Sequence, residues 1–218
     1  MLLGKHILNG SSGPSIPVRE KWTFTSNGTW VAPANGTYKI TLVGAGGKGG
    51  SGCNRRLELD YIDSHGKKHC YVCDSCGSAS GGGGGAGQTV IQTHTLRKDA
   101  TLIITIGQPN SNPSKVTGVV SITANGGDTG GSAYSSNDSC RTKVVAGGVA
   151  ANYGTGGGSG YVSNRSNNSP TGGAGKVSNY GNSYGQGGQG GYGEWNKGPF
   201  HTGYNGTAGI CIIEYMGR

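Results

Sequence analysis

Three cysteines at the spacing Cys70-x-x-Cys73-x-x-Cys76, with Cys53 upstream and His69 directly before them, are one of two features of this chain that could carry a site. Thiolates at such gaps suit a tetrahedral ion, so four of them, or three with His69, would make a structural zinc site. The match is to half of a zinc ribbon, because one of the two paired knuckles is a lone cysteine. A disulfide such as Cys53 to Cys70, or Cys53 to Cys76, draws on the same residues, and so do free thiols. Cys211 stands in a run of isoleucines and is expected as a small buried hydrophobe. Cys140, in a polar segment, is either a partner for another cysteine or a free thiol.

Catalysis finds little support among the other titratable residues. Glu58, Asp60 and Asp63 fall on one short run, where a solvated hairpin face accounts for them better than acid–base work. The histidines are scattered without a metal-ligand spacing, and nothing suggests the paired carboxylates of a glycan-cleaving groove. The chain is therefore expected not to be an enzyme. Binding is better served: Tyr180, Tyr184, Tyr192, Trp195, Phe200, His201 and Tyr204 lie in sequence too rich in glycine to bury them in an ordinary core. Aromatic rings on a preorganised scaffold supply contact area at low entropic cost, and sugars and surface proteins are both read this way. Tyr134, Arg141, Tyr161, Asn164 and Arg165 belong to the same class. The alternative is that these rings cover backbone or fill gaps.

The elements that must position these residues are written in a repeat of three. Gly44 to Gly52 reads GAG-GKG-GSG, Gly185 to Gly193 reads GQG-GQG-GYG, and Ala79 to Gly87 reads ASG-GGG-GAG in the same frame. A period of three belongs to the extended left-handed polyproline-II helix, not to an α-helix or a strand. One ridge of such a rod carries side chains and two are bare, so rods can pack closely and bond through their main chains. Ordering glycine costs on the order of 1–2 kcal/mol per residue, which makes isolated rods implausible and attached strands necessary.

Those strands are legible. Of 218 residues 47 are glycine, with 13% charged and 7% aromatic, so a large conventional core is out of reach and a small β core is not. Tyr38 to Val43, Thr89 to Leu96, Thr101 to Ile106, Val116 to Thr123 and Gly209 to Tyr215 are β-branched runs of strand length. Lys21 to Pro33 reads as a hairpin around Asn27-Gly28. Asn54 to Cys76 reads as a polar hairpin turning at His65-Gly66. The last strand is expected to pair back into the N-terminal sheet. The fold class is all-β: a small jelly-roll-like β-sandwich with packed polyglycine-II rods, long loops and almost no α-helix. Residues 1–20 form an arm or attachment segment and 21–218 one glycine-rich domain, with a Cys-rich insertion at 53–80 and a Gly/Tyr-rich loop and rod region at 125–207. No run of eighteen apolar residues suggests membrane insertion and no export signal is visible at Met1. A formal net charge of +8 permits attraction to polyanions without choosing among them.

Taken together, Thr23 to Pro33, Tyr38 to Gly47, the glycine run into Thr89 to Leu96, Thr101 to Gly107, Ala124 to Asp128 and the ending Gly206 to Tyr215 resemble the glycine-rich domain of bacteriophage tail proteins, over roughly Lys21 to Tyr215. The resemblance implies a virion protein of a tail tip, tail fibre or baseplate, assembled in the host cytoplasm and acting outside the cell. It is also similar to adhesins that cap long tail fibres, in which polyglycine-II rods present loops to bacterial receptors. It departs from them in the cysteine-rich insertion and in the absence of a large fibre-docking domain ahead of residue 21. The partners implied are a bacterial surface glycan or protein receptor, and other tail or baseplate proteins through residues 1–20, with a homotrimer and other assemblies left open. A purely structural tail-tip role is the alternative. Nucleic-acid binding ranks well below both, since the arginines stand outside Arg-Gly-Gly repeats.

Overall fold

Strict alternation of apolar and polar residues builds the sheets. In β7 (Thr101–Thr105) Leu102 and Ile104 are buried while Thr101, Ile103 and Thr105 face solvent, which is the period-two pattern of a strand with one covered face. The structure, a computed structural model, describes residues 17–52, 57–72, 81–132, 134–136, 141–143, 183–191 and 202–218. Among them no helix occurs. The strands are β1 (Lys21–Phe24), β2 (Gly28–Val31), β3 (Gly36–Val43), β4 (Leu57–Ile62), β5 (Lys68–Val72), β6 (Thr89–Leu96), β7, β8 (Ser114–Gly118), β9 (Ile122–Ala124), β10 (Tyr134–Ser136), β11 (Arg141–Lys143) and β12 (Ile210–Gly217).

Two four-stranded antiparallel sheets make the sandwich, one ordered β1-β12-β3-β6 and the other β2-β7-β8-β9. The chain is all-β, as its composition required. The C-terminal strand does return to the N-terminal sheet, lying between β1 and β3 with Ile213 opposite both Trp22 and Ile40. Between the sheets lie Tyr38, Ile40 and Leu42 of β3, Leu102 and Ile104 of β7, Val116, Ile122, Cys211 and Ile213. Burying each of the larger aliphatic side chains is worth roughly 1.5–3 kcal/mol. Aromatic rings close the end of this core away from the rods: Trp22 and Trp30 are 5.3 Å apart between centroids, and Tyr38 packs 5.1 Å from both Trp30 and Tyr215.

Two local expectations are corrected. β1 and β2 do not form a hairpin: β1 pairs with β12 in one sheet and β2 with β7 in the other, so Asn27-Gly28 is the crossing between sheets. Neither residue has the positive φ of a tight primed turn, and the Asn27 side-chain oxygen instead accepts the Ile106 N–H at 2.8 Å. The run Val116 to Thr123 is two strands, β8 and β9, broken after Gly118, whose φ of 118° suits glycine. The β4–β5 hairpin is as expected, turning at Gly66 with φ 77°.

Candidate binding surface on the rod bundle

Where β3 ends, the main chain continues straight into a rod. Ser114, fully buried, anchors the junction by donating to the Val43 carbonyl at 2.7 Å while accepting the Gly107 N–H at 2.9 Å. Five extended segments follow the same logic: rod A (44–52) after β3, rod B (81–88) before β6, rod C (125–132) after β9, rod D (185–191), and rod E (202–209) before β12.

Rod A lies at the centre. Its Gly44, Gly47 and Gly50 N–H groups donate to Gln88, Gly85 and Gly82 of rod B at 2.9, 2.9 and 2.8 Å, and Gly46 and Gly49 donate to Thr207 and Tyr204 of rod E at 2.9 Å each. Its carbonyls accept from rod C, at Ala45 and Lys48, and from rod D, at Gly47 and Gly50. Rod B in turn donates to rod D from Gly81, Gly84 and Gly87 and to rod C from Gly82, Gly85 and Gln88. Every ladder advances by three residues, and successive bonds of one rod point to different neighbours, which is the bonding of polyglycine II and of no β-sheet. Apart from Gly185 at φ 65°, no described rod glycine has positive φ, so the screws are left-handed.

The bare ridges are used where rods touch. A Cβ built on Gly46 would run into the Gln186 carbonyl, one on Gly47 into that of Asp128, and one on Gly84 into that of Gly47. The side-chain ridge of rod A, by contrast, holds Ala45, Lys48 and Ser51.

Bond registers also fix direction. Rods A, C and D run away from the sandwich, and rods B and E run back. The connections 53–80 and 192–201 therefore start and finish at the far end. Described chain enters at Pro17 and leaves at Arg218 by the opposite end, where Arg19 N–H donates to the Tyr215 carbonyl.

Of the residues singled out for binding, four are described, two of them, Tyr134 and Arg141, at positions on the paired strands β10 and β11. Tyr204 lies on rod E, 57% exposed, with its N–H on the Gln189 carbonyl and its carbonyl on the Gly49 N–H. Tyr184 precedes Gly185 at the sandwich end of rod D, so the bundle separates it from Tyr204 along the rods. Tyr161, Asn164, Arg165, Tyr180, Tyr192, Trp195, Phe200 and His201 lie outside the described residues, as do Cys53, Cys73 and Cys76. Cys70 sits on β5 opposite Leu59. Among the described residues no group of three or more His, Cys, Asp or Glu is arranged to hold a metal ion. Cys211 is free and fully buried, and burial pushes its thiol up to about 12, which leaves it inert.

The β4–β5 turn holds a polar network that sequence reasoning missed. Asp63 accepts the N–H groups of His65 and Lys67 at 2.9 and 3.0 Å on one oxygen and meets His69 Nε2 at 2.9 Å with the other. The His69 ring stacks on Tyr61 at 4.4 Å and 5°. The bond to His69, with those to Lys67 and His65, holds the Asp63 carboxyl below its usual range. Rods C and E were also missed; the traces they leave are Gly126-Gly127 with Gly130-Gly131, and Gly203, Gly206 and Gly209 at intervals of three. In comparisons with known proteins, no family model matches the sequence and no match was found among curated proteins.

Proposed function

We propose that this chain is a bacteriophage virion protein of the tail tip, fibre or baseplate, and that it binds the host surface through aromatic loops carried on the rods. One observation carries this reading: rods A and D end, and rods B and E begin, at the end opposite to where the described chain enters and leaves. One end is thereby available for attachment and the other for contact. The D–E connection, 192–201, contains Tyr192, Trp195, Phe200 and His201, four rings in ten residues. Loops on a rigid scaffold are where binding residues concentrate, and a hydrogen-bonded rod lattice is such a scaffold.

The test is to replace residues 192–201 with a Gly-Ser turn, which leaves rods D and E intact. Particles carrying the replacement should assemble and fail to adsorb to host cells. Normal adsorption would remove the receptor-binding role.

A further inference from the structure

The described residues of rods D and E, 185–191 and 202–209, meet along a seam and carry no charge. Tyr204 and Thr207 N–H groups donate to the Gln189 and Gln186 carbonyls at 2.8 Å each, and the Gln186 N–H donates to the Thr207 hydroxyl at 2.7 Å. That last bond places the Thr207 side chain over the seam, against rod D. One turn further from the sandwich, about 9 Å at the ~3.1 Å rise of such a helix, the same ridge of rod E carries Tyr204 beside Gln189. Tyr204, Gln189, Thr202 and Asn205 are all exposed. None of them is charged, in a chain with formal net charge +8.

We infer that the D–E seam is a binding site for a neutral polysaccharide strand lying along the rods, with Tyr204 as its stacking face and the Gln189 side-chain amide as a partner for sugar hydroxyls. The inference rests on the adhesin reading and names the class of receptor it takes. An aromatic face suits the C–H face of a pyranose ring, and amides donate to and accept from hydroxyls at once. A polyanion would call for Arg or Lys here, and a protein partner for clustered apolar anchors; the described residues of the seam have neither. Its polar groups recur with the three-residue turn of the rods, which favours a ligand that itself repeats. Because inter-rod bonds already hold both main chains, the ligand orders little protein on binding.

The experiment titrates the purified full chain with maltohexaose, cellohexaose, xylohexaose and mannohexaose, using dextran sulfate as the charged comparison. At least one neutral oligosaccharide should bind, more tightly than its disaccharide. Tyr204→Ala should weaken binding roughly tenfold or more, Gln189→Ala less, and Tyr204→Phe little. Unchanged exchange protection of the Gly49 and Gly188 amides shows that the rods persist in Tyr204→Ala. Binding of none of the neutral oligosaccharides at millimolar concentration, binding of dextran sulfate alone, or equal affinity in Tyr204→Ala overturns the inference. If it falls while replacement of 192–201 still abolishes adsorption, the adhesin reading stands with a different receptor; if adsorption also survives, both fall.

Discussion

A missing Cβ does different work at different positions of the same three-residue repeat. Gly47 faces rod C and donates to rod B, so Gly47→Ala must push rods apart, whereas the neighbouring Lys48 occupies the ridge that already carries side chains. Gly47→Ala should cost roughly 1–3 kcal/mol through overpacking, and more where inter-rod bonds are lost with it. Lys48→Ala should stay within about 0.5 kcal/mol, the usual range for surface changes. Chemical denaturation of the two variants checks the contrast, and equal stabilities would contradict the ridge assignment. At the β4–β5 turn, the lowered Asp63 carboxyl gives a pH response of definite sign. Because its folded value lies below 3.8, its contribution is fully present above 3.8 and is lost as pH falls through the folded value. The Tyr61 ring shifts that report stacking on His69 should therefore collapse on acidification below that point in the parent chain. In Asp63→Asn they should show no such acid step, as followed by NMR.

A rod is an element only in company. Ordering its residues costs about 1–2 kcal/mol each, while an inter-rod hydrogen bond returns a net of about 1 kcal/mol, so a rod donating in two directions roughly breaks even and a lone one does not form. The ladders tie each rod to its neighbours in steps of three, so phase matters more than length. Inserting one glycine between Gly83 and Gly84 turns the outer part of rod B by a third of a turn and should disrupt its bonds from Gly81 and Gly82. Inserting three keeps the phase and should restore near-parent melting; a single insertion tolerated as well as a triple one would argue against the screw. The same requirement explains which rods could be read in advance. Rods A, B and D announce themselves as Gly-x-Gly because each meets neighbours on both bare ridges. Among the described rods, rod E bonds rods A and D, and it shows one glycine in three, at Gly203, Gly206 and Gly209, a pattern too sparse to distinguish from ordinary loop sequence. Asn27-Gly28 was misleading for a related reason: local turn propensity does not say whether the strands on either side pair with each other or with partners far along the chain.

Across the whole molecule, sandwich and bundle should stand or fall together, since β3, β6, β9 and β12 each run directly into or out of a rod. Ile40→Ala, in the centre of the core and far from any inter-rod bond, should destabilise the chain by about 2–5 kcal/mol. It should raise exchange of the Gly47, Gly50 and Gly84 amides in step with those of β3 and β12, as measured by native-state hydrogen exchange. Rod amides unaffected by this change would mean that the bundle is stable by itself. The all-β class, the return of the last strand to the N-terminal sheet and the three-turn rods follow from composition and periodicity, because alternation, β-branching and glycine phase are local signals of main-chain conformation. Packing alone settles that rod A is central and that Tyr184 and Tyr204 lie at different heights on the bundle. It also makes Ser114 the pin of a sheet-to-rod junction and sets Asp63, His69 and Tyr61 in one network. These depend on which main-chain groups meet across long separations in the chain, and a bare N–H or C=O is the same in every residue, so nothing in side-chain identity reveals its partner before the chain has folded.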